Sequence, residues 1–409
     1  MSSAITLSPE WDAVCRARLG VARLTRMAFA GTDLRPLWHE LMNKANDDAS
    51  GTGMGMDLSA ISQLLGDKPT GLAIQKEMLA LWQVFASPCP AKPRLKVLAL
   101  AGESDIGGNT PLEFLLEGSG IALATYYVVP GVATPVLPDH DVAIVVAEPG
   151  HPSLPAIESL LANWPRPVLN HPRRLAVLAR DQLCRGLGGV AGLEIPETAR
   201  VTRAALAGLA AEELALAQIL ADGRFPLIIR PLGSHAGFGL ARLEDRGELA
   251  AYLGGRGESE FFLSRFVDYS STDGWFRKYR LVLIDGQAYP CHMAICEEWK
   301  AWYLNADMAL TASNRQEEAV FMREFDCGFG LRHAAALGEM GRRIGLDYVT
   351  VDCAETKNGE LLIFEADHTA IVHDMDPPSV YPYKPGQMSK IFQAAQTMFI
   401  RQAARARAA

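Results

Sequence analysis

The chain has 409 residues, with 47 acidic against 39 basic side chains for a net charge of −8; 49% are hydrophobic and 21% charged. That balance belongs to a folded chain of several domains and excludes a disordered or fibrous protein. A net negative chain lacks the clustered cations that neutralise phosphate backbones, so no nucleic-acid partner is expected. The longest apolar runs, such as Leu95–Ala101 and Val142–Ala147, fall far short of the roughly 20 residues of a membrane span. Met1–Trp11 shows no basic region followed by an apolar stretch, so no signal peptide is expected. Seven cysteines (15, 89, 184, 291, 296, 327 and 353) form no CxxC pair. They read as buried free thiols of a cytoplasmic protein.

From the N-terminus, Trp11–Phe29, Leu34–Met42 and Leu72–Phe85 carry apolar residues at helical spacing, while Asp47–Met56, rich in Gly and Asp, reads as a loop. Pro88, Pro90 and Pro93 cannot continue a helix, so residues 1–92 are taken as an N-terminal helical domain. It is the expected surface for a protein partner or for self-association into a homo-oligomer. In 93–175, short apolar strands (Leu95–Ala101, Ala122–Val129, Val142–Ala147, Val168–Leu169) alternate with helices (Pro111–Leu116, Leu154–Trp164). This predicts a small parallel α/β domain. Residues 176–409 read as α+β, in two parts near 176–268 and 269–409. Helix Arg203–Asp222 precedes strand-rich blocks at Phe225–Asp268 and Arg277–Ile295. Helix Leu331–Ile344 leads to paired strands Val349–Ala354 and Glu360–Glu365, turned at Asn358-Gly359. A helix over Met388–Ala404 closes the chain.

Gly102–Thr110 follows a strand and mimics a phosphate loop, but Gly108 and Asn109 stand where Lys and Ser/Thr are needed. A βα turn capped by Asn109 or Thr110 is the better reading. The segment from Pro226 to Leu240 is more informative. A strand ends in Arg230 and Pro231, and a loop follows with Gly233, Ser234, His235, Gly237 and Gly239. Glycines let backbone N–H groups approach an anion, and Arg230 adds a fixed cation. On the paired strands stand Asp352, Glu365 and Asp367. Carboxylates gathered in apolar strands repel unless a divalent cation lies among them, and hard oxygen ligands suit Mg²⁺. Between these signals lie Arg277, Lys278, Arg280, Lys300 and Asn305, cations and a polar group of the kind a transferring phosphoryl group requires.

Glycine loop, Arg-bearing strand and D…E-x-D hairpin, in that order, resemble the ATP-grasp superfamily of carboxylate–amine ligases, over about 175 to 395. Asn109–Leu116, Leu137–Asp141, Arg166–Asn170 and Phe276–Arg280 resemble bacterial members with a helical, sometimes tetratricopeptide-like, front end. The resemblance implies an ATP-grasp fold preceded by the α/β and helical domains, with ATP and Mg²⁺ as cofactors. It implies that Arg230, Gly233, Ser234, His235, Gly237 and Gly239 cover the phosphates. Leu263–Val267, with Arg265 and Phe266, would be the adenine-reading hinge. Asp352, Glu365 and Asp367 would hold magnesium. Arg280 and Lys300 would be the catalytic cations. No second nucleotide-binding Lys is evident, since Asp181-Gln182 stands where one is common. The implied reaction is ATP-dependent ligation of a small-molecule or peptide carboxylate to an amine through an acylphosphate. An ATP-grasp kinase, or a nucleotide-responsive binding module without turnover, is the alternative.

Overall fold

The computed structural model describes residues 5–47, 51–89, 91–234 and 237–408. The fold is mixed α/β, built on three main sheets. The first has six strands in the order Arg16–Ala17, Val84–Ala86, Ile121–Tyr127, Leu95–Ala101, Val142–Val145 and Val168–Leu169. Its central strands run parallel, and Ile121–Tyr127 is buried at every position. A parallel sheet covered on both faces needs such unbroken apolar runs. The N-terminal region, expected to be helical, supplies two strands to this sheet, so Pro88 and Pro93 lie between strands of one sheet; Pro90 lies outside the described residues.

Four main helices fill that N-terminal region: Val21–Phe29, Arg35–Asp47, Thr52–Leu64 and Lys68–Leu81. Residues 48–50 lie outside the described residues; from residue 52 onward, Thr52–Leu64 overturns the loop expected over Asp47–Met56. Its glycines are contact points: a Cβ on Gly53 would stand 1.9 Å from Ala17 O, and one on Gly55 would stand 2.2 Å from Met78 Sδ. The helix lies close against its neighbours because those side chains are missing. Asp67 caps the next helix, accepting from Thr70 N at 3.2 Å, with Pro69 in the first turn.

The second sheet is antiparallel, in the order Thr198–Thr202, Glu260–Arg265, Leu227–Pro231 and Ala241–Leu243. Helices Arg203–Ala210 and Arg246–Gly254 bury Leu206, Leu209, Leu249 and Leu253 with its apolar residues. The helix expected over Arg203–Asp222 stops at Ala210, where Glu212 takes φ +63°. The third sheet runs Gln287–Cys296, Phe276–Ile284, Tyr348–Glu355, Leu361–Asp367 and Leu193–Glu194.

The last helix, Lys384–Ala408, reaches back to the first sheet. Met388, Ile391, Met398 and Phe399 share an apolar cluster with Val97, Leu115 and Ile144. Gln396 Nε2 donates to Leu115 O at 3.2 Å, and Arg407 pairs with Asp141 at 2.6 Å. No helix of the described residues is long and apolar enough to cross a membrane. All seven cysteines are free, but Cys89 and Cys327 are exposed rather than buried as expected.

Candidate active site

A cavity of about 1250 Å³ lies between the second and third sheets. Pockets for one ligand usually measure roughly 300–1,000 Å³, so there is room for a second molecule. One wall carries Ile228, Arg230, Phe262, Ser264 and Arg265; the facing wall carries Lys278, Arg280, Asp352, Glu365 and Asp367. Gln63, Lys68 and the loop Glu103–Gly107 line it as well.

The charged centre is set by strand register. Arg280 stands opposite Asp352, and Asp352 opposite Glu365, on three neighbouring antiparallel strands. A bulge between Asp352 and Cys353 shifts the partner strand, pairing Cys353 with Ile363. Bulges re-aim side chains in this way near functional sites. Arg280 binds Asp352 through Nε–Oδ1 at 2.7 Å and Nη2–Oδ2 at 3.0 Å, and Lys278 Nζ reaches the same Oδ2 at 2.7 Å. Burial alone would raise the pKa of Asp352, but Arg280 and Lys278 hold it below the usual carboxylate range. Burial likewise works against Arg280's charge, and Asp352 overrides it.

Glu365 meets different cations. Arg180 donates to it and to Phe364 O at 2.8 Å, and Arg230 Nη1 stands 4.0 Å from Glu365 Oε2. Burial opposes ionisation of Glu365, and Arg180 brings its pKa below the ordinary value. Arg230, buried and beside Arg180, is pulled down to about 10. A poorly solvated guanidinium with a like charge next to it gains from an incoming anion. Arg180 is a residue that sequence reasoning missed. The signal was available: a cation in the first turn of helix Arg180–Leu187 runs against the helix dipole, unless an acid or a ligand meets it.

Among the expected nucleotide residues, Arg230, Gly233, Ser234, Gly237, Arg265 and Phe266 line the cavity, as do Arg280 and Lys300. Arg230 Nε donates to Ser234 Oγ at 3.2 Å, tying the start of the glycine loop to its strand. Gly239 stands behind the wall, where a Cβ would lie 2.6 Å from Pro231 Cδ at φ +65°. His235 lies outside the described residues. The Arg265 guanidinium is engaged by Asp222 at 2.6 Å and by Glu194. His292 is buried and held neutral by desolvation and by Arg280; it does not line the cavity, nor do His368, His373 and Asp374.

Asp352, Glu365 and Asp367 all line the cavity, yet among the described residues no three His, Cys, Asp or Glu side chains converge to hold an ion. Both oxygens of Asp352 are engaged. Asp367 accepts from Thr369 N and Oγ1, both at 2.8 Å and both at Oδ1. Mg²⁺ bound with substrate phosphates needs only one or two protein carboxylates. Glu365 and Asp367, two residues apart on one strand, fit that smaller demand.

The loop Gly102–Thr110 is no phosphate cradle. Its N–H groups are already bonded: Ser104 to Gln75 Oε1 at 2.9 Å, Ile106 to Gln63 Oε1 at 3.1 Å, and Gly107 to Asp105 Oδ1 at 3.0 Å. Asn109 does not cap a helix; it bonds both N and O of Gly102.

No family model and no curated protein matches the chain. Among solved structures it is similar to a RimK domain ATP-grasp protein from Sphaerobacter thermophilus, at 19% identity and TM-score 0.45, over 75% of this chain and 99% of that one. It is also similar to the VanG D-Ala:D-Ser ligase from Enterococcus faecalis, at 13% identity and TM-score 0.47, over 75% and 100%. A D-alanine–D-alanine ligase from Bacillus anthracis, complexed with ATP, is similar at 13% identity and TM-score 0.43, over 76% and 98%.

Proposed function

We propose that the chain binds ATP with Mg²⁺ between its second and third sheets and uses it to join a carboxylate to an amine. The observation that supports this most is the charged centre: Arg180, Arg230, Lys278 and Arg280 against Asp352, Glu365 and Asp367, in a cavity large enough for two ligands. Arg180 and Arg230 would meet the phosphates, and the backbone of 265–267 would meet the base. Glu365 and Asp367 would hold Mg²⁺, which supplies charge neutralisation on the phosphate oxygens. Asp352 fixes Lys278 and Arg280 so that their remaining donors face the reacting oxygens.

In the step proposed, a carboxylate oxygen attacks the γ-phosphorus, and the bond to the bridging oxygen breaks to release ADP. The amine nitrogen then attacks the acyl carbon of the acylphosphate. The C–O bond breaks, phosphate leaves with its electron pair, and the amine proton passes to solvent or a carboxylate. Residues 176–409 carry the nucleotide chemistry in this reading, and the segments before them complete the second-substrate end. The test is hydroxylamine trapping with ATP and pooled carboxylic acids. A hydroxamate with ADP release supports the ligase. A stable phosphoester with no hydroxamate assigns a kinase instead, and nucleotide binding without turnover assigns a binding module.

A further inference from the structure

We infer that Lys300 is a positioning residue that holds the 237–240 end of the glycine loop to the facing side of the cavity and does not touch the transferring phosphoryl group. This rests on the nucleotide reading of the cavity. Lys300 Nζ donates to Gly237 O at 3.1 Å and lies 3.4 Å from Leu240 O. Those carbonyls belong to the loop between strands Leu227–Pro231 and Ala241–Leu243 of the second sheet. Lys300 follows strand Gln287–Cys296 of the third. One ammonium therefore joins the two sides of the cavity.

Its own backbone is firmly held. Tyr269 donates its hydroxyl to Trp299 O, and the Trp299 ring meets Phe266 edge-on at 5.9 Å. Asn305 Nδ2 donates to Lys300 O at 3.1 Å and Asn305 Oδ1 accepts from Trp302 N at 2.8 Å. Next in the chain, Tyr303 accepts from the buried Lys384, which also pairs with Asp376 at 2.6 Å. The described part of the glycine loop is also held where Tyr252 Oη donates to Gly239 O at 2.6 Å. Gly237 sits at φ +71°, and a Cβ there would stand 3.1 Å from Lys300 Cε. Both the backbone angle and the close approach of this lysine thus require glycine at 237.

A bond from a charged donor to a carbonyl is roughly twice as strong as a neutral one. Holding the loop before the nucleotide arrives lowers the ordering cost of binding. A catalytic cation would behave differently, acting on turnover at saturating ATP.

The experiment uses the full chain and the variants Lys300→Met, Lys300→Arg and Gly237→Ala. Amide exchange is measured on peptides covering 232–242 in the free protein, with calorimetry of the non-hydrolysable analogue AMPPNP and Mg²⁺. Lys300→Met is expected to speed loop exchange and weaken AMPPNP about tenfold each, with the thermal midpoint unchanged. Lys300→Arg should recover part of both, and Gly237→Ala should speed loop exchange with Lys300 intact. Unchanged loop exchange in Lys300→Met overturns the latch, whatever happens to AMPPNP affinity. If the wild type does not bind AMPPNP, the nucleotide reading falls, and loop exchange in the free protein still decides the latch.

Discussion

Asp352 and Glu365 stand directly opposite each other on adjacent antiparallel strands, yet different cations hold them: Lys278 and Arg280 for Asp352, Arg180 for Glu365. Two carboxylates so close would otherwise repel. In the proposed reading Asp352 is a fixed anchor, and Glu365 exchanges Arg180 for Mg²⁺.

Glu365→Gln keeps the shape and removes one charge. ATP turnover should fall at least a hundredfold at limiting Mg²⁺, while circular dichroism and the thermal midpoint stay near wild type. Turnover near normal in a magnesium titration would remove Glu365 from the metal site.

Arg280→Ala leaves the buried Asp352 with Lys278 alone. Stability should drop by about 2 kcal/mol, as expected when one partner of a buried charged bond is lost. Turnover should fall roughly 10²–10³-fold with AMPPNP affinity kept within about tenfold. Urea unfolding and calorimetry on the same sample separate the two effects. An affinity loss as large as the turnover loss would make Arg280 a ground-state phosphate ligand.

The parallel strands, the paired strands at 348–367 and the cations around them were legible because each follows from local periodicity or composition. Helix Thr52–Leu64 was not. Its glycines lower helix propensity, and the contacts with Ala17 and Met78 that justify them are distant in sequence. Arg180 was hidden differently. The partner that explains it, Glu365, lies 185 residues away, and its neighbours Asp181 and Gln182 carry no cation. The reach of Gln63 and Gln75 into the loop 102–108 likewise depends on tertiary placement alone.

Gln63 gives that placement a test. Gln63→Leu leaves the Ile106 N–H without its acceptor, at a cost of about 1–2 kcal/mol. The loop it supports lines the cavity, at the second-substrate end in the proposed reading. AMPPNP affinity should therefore stay unchanged in calorimetry, while kcat/KM for the second substrate falls. A loss of nucleotide affinity would show that this wall belongs to the ATP end.

Asp57 supplies a pH signature. Burial raises its pKa to about 6, against the N–H groups of Leu19 and Gly20 that favour the charged form. The folded chain holds this proton more tightly than the unfolded chain. Its contribution is complete below about pH 4 and is lost as pH rises to about 6, an effect of about 3 kcal/mol. Urea unfolding from pH 4 to 7 should show a steeper decline for wild type than for Asp57→Asn. Parallel curves would remove Asp57 as the source.

The closing helix has a consequence for biosynthesis. Met388, Ile391, Met398 and Phe399 complete the apolar cluster that holds Val97, Leu115 and Ile144. A nascent chain that has already exposed the first sheet must therefore wait for the 25-residue helix Lys384–Ala408 before that face is covered. Until that helix has emerged from the ribosome, these apolar strands stay open to chaperones and to neighbouring chains. Translation that stops just short of residue 384 leaves a product with every cavity-lining residue present and that face of the first sheet uncovered.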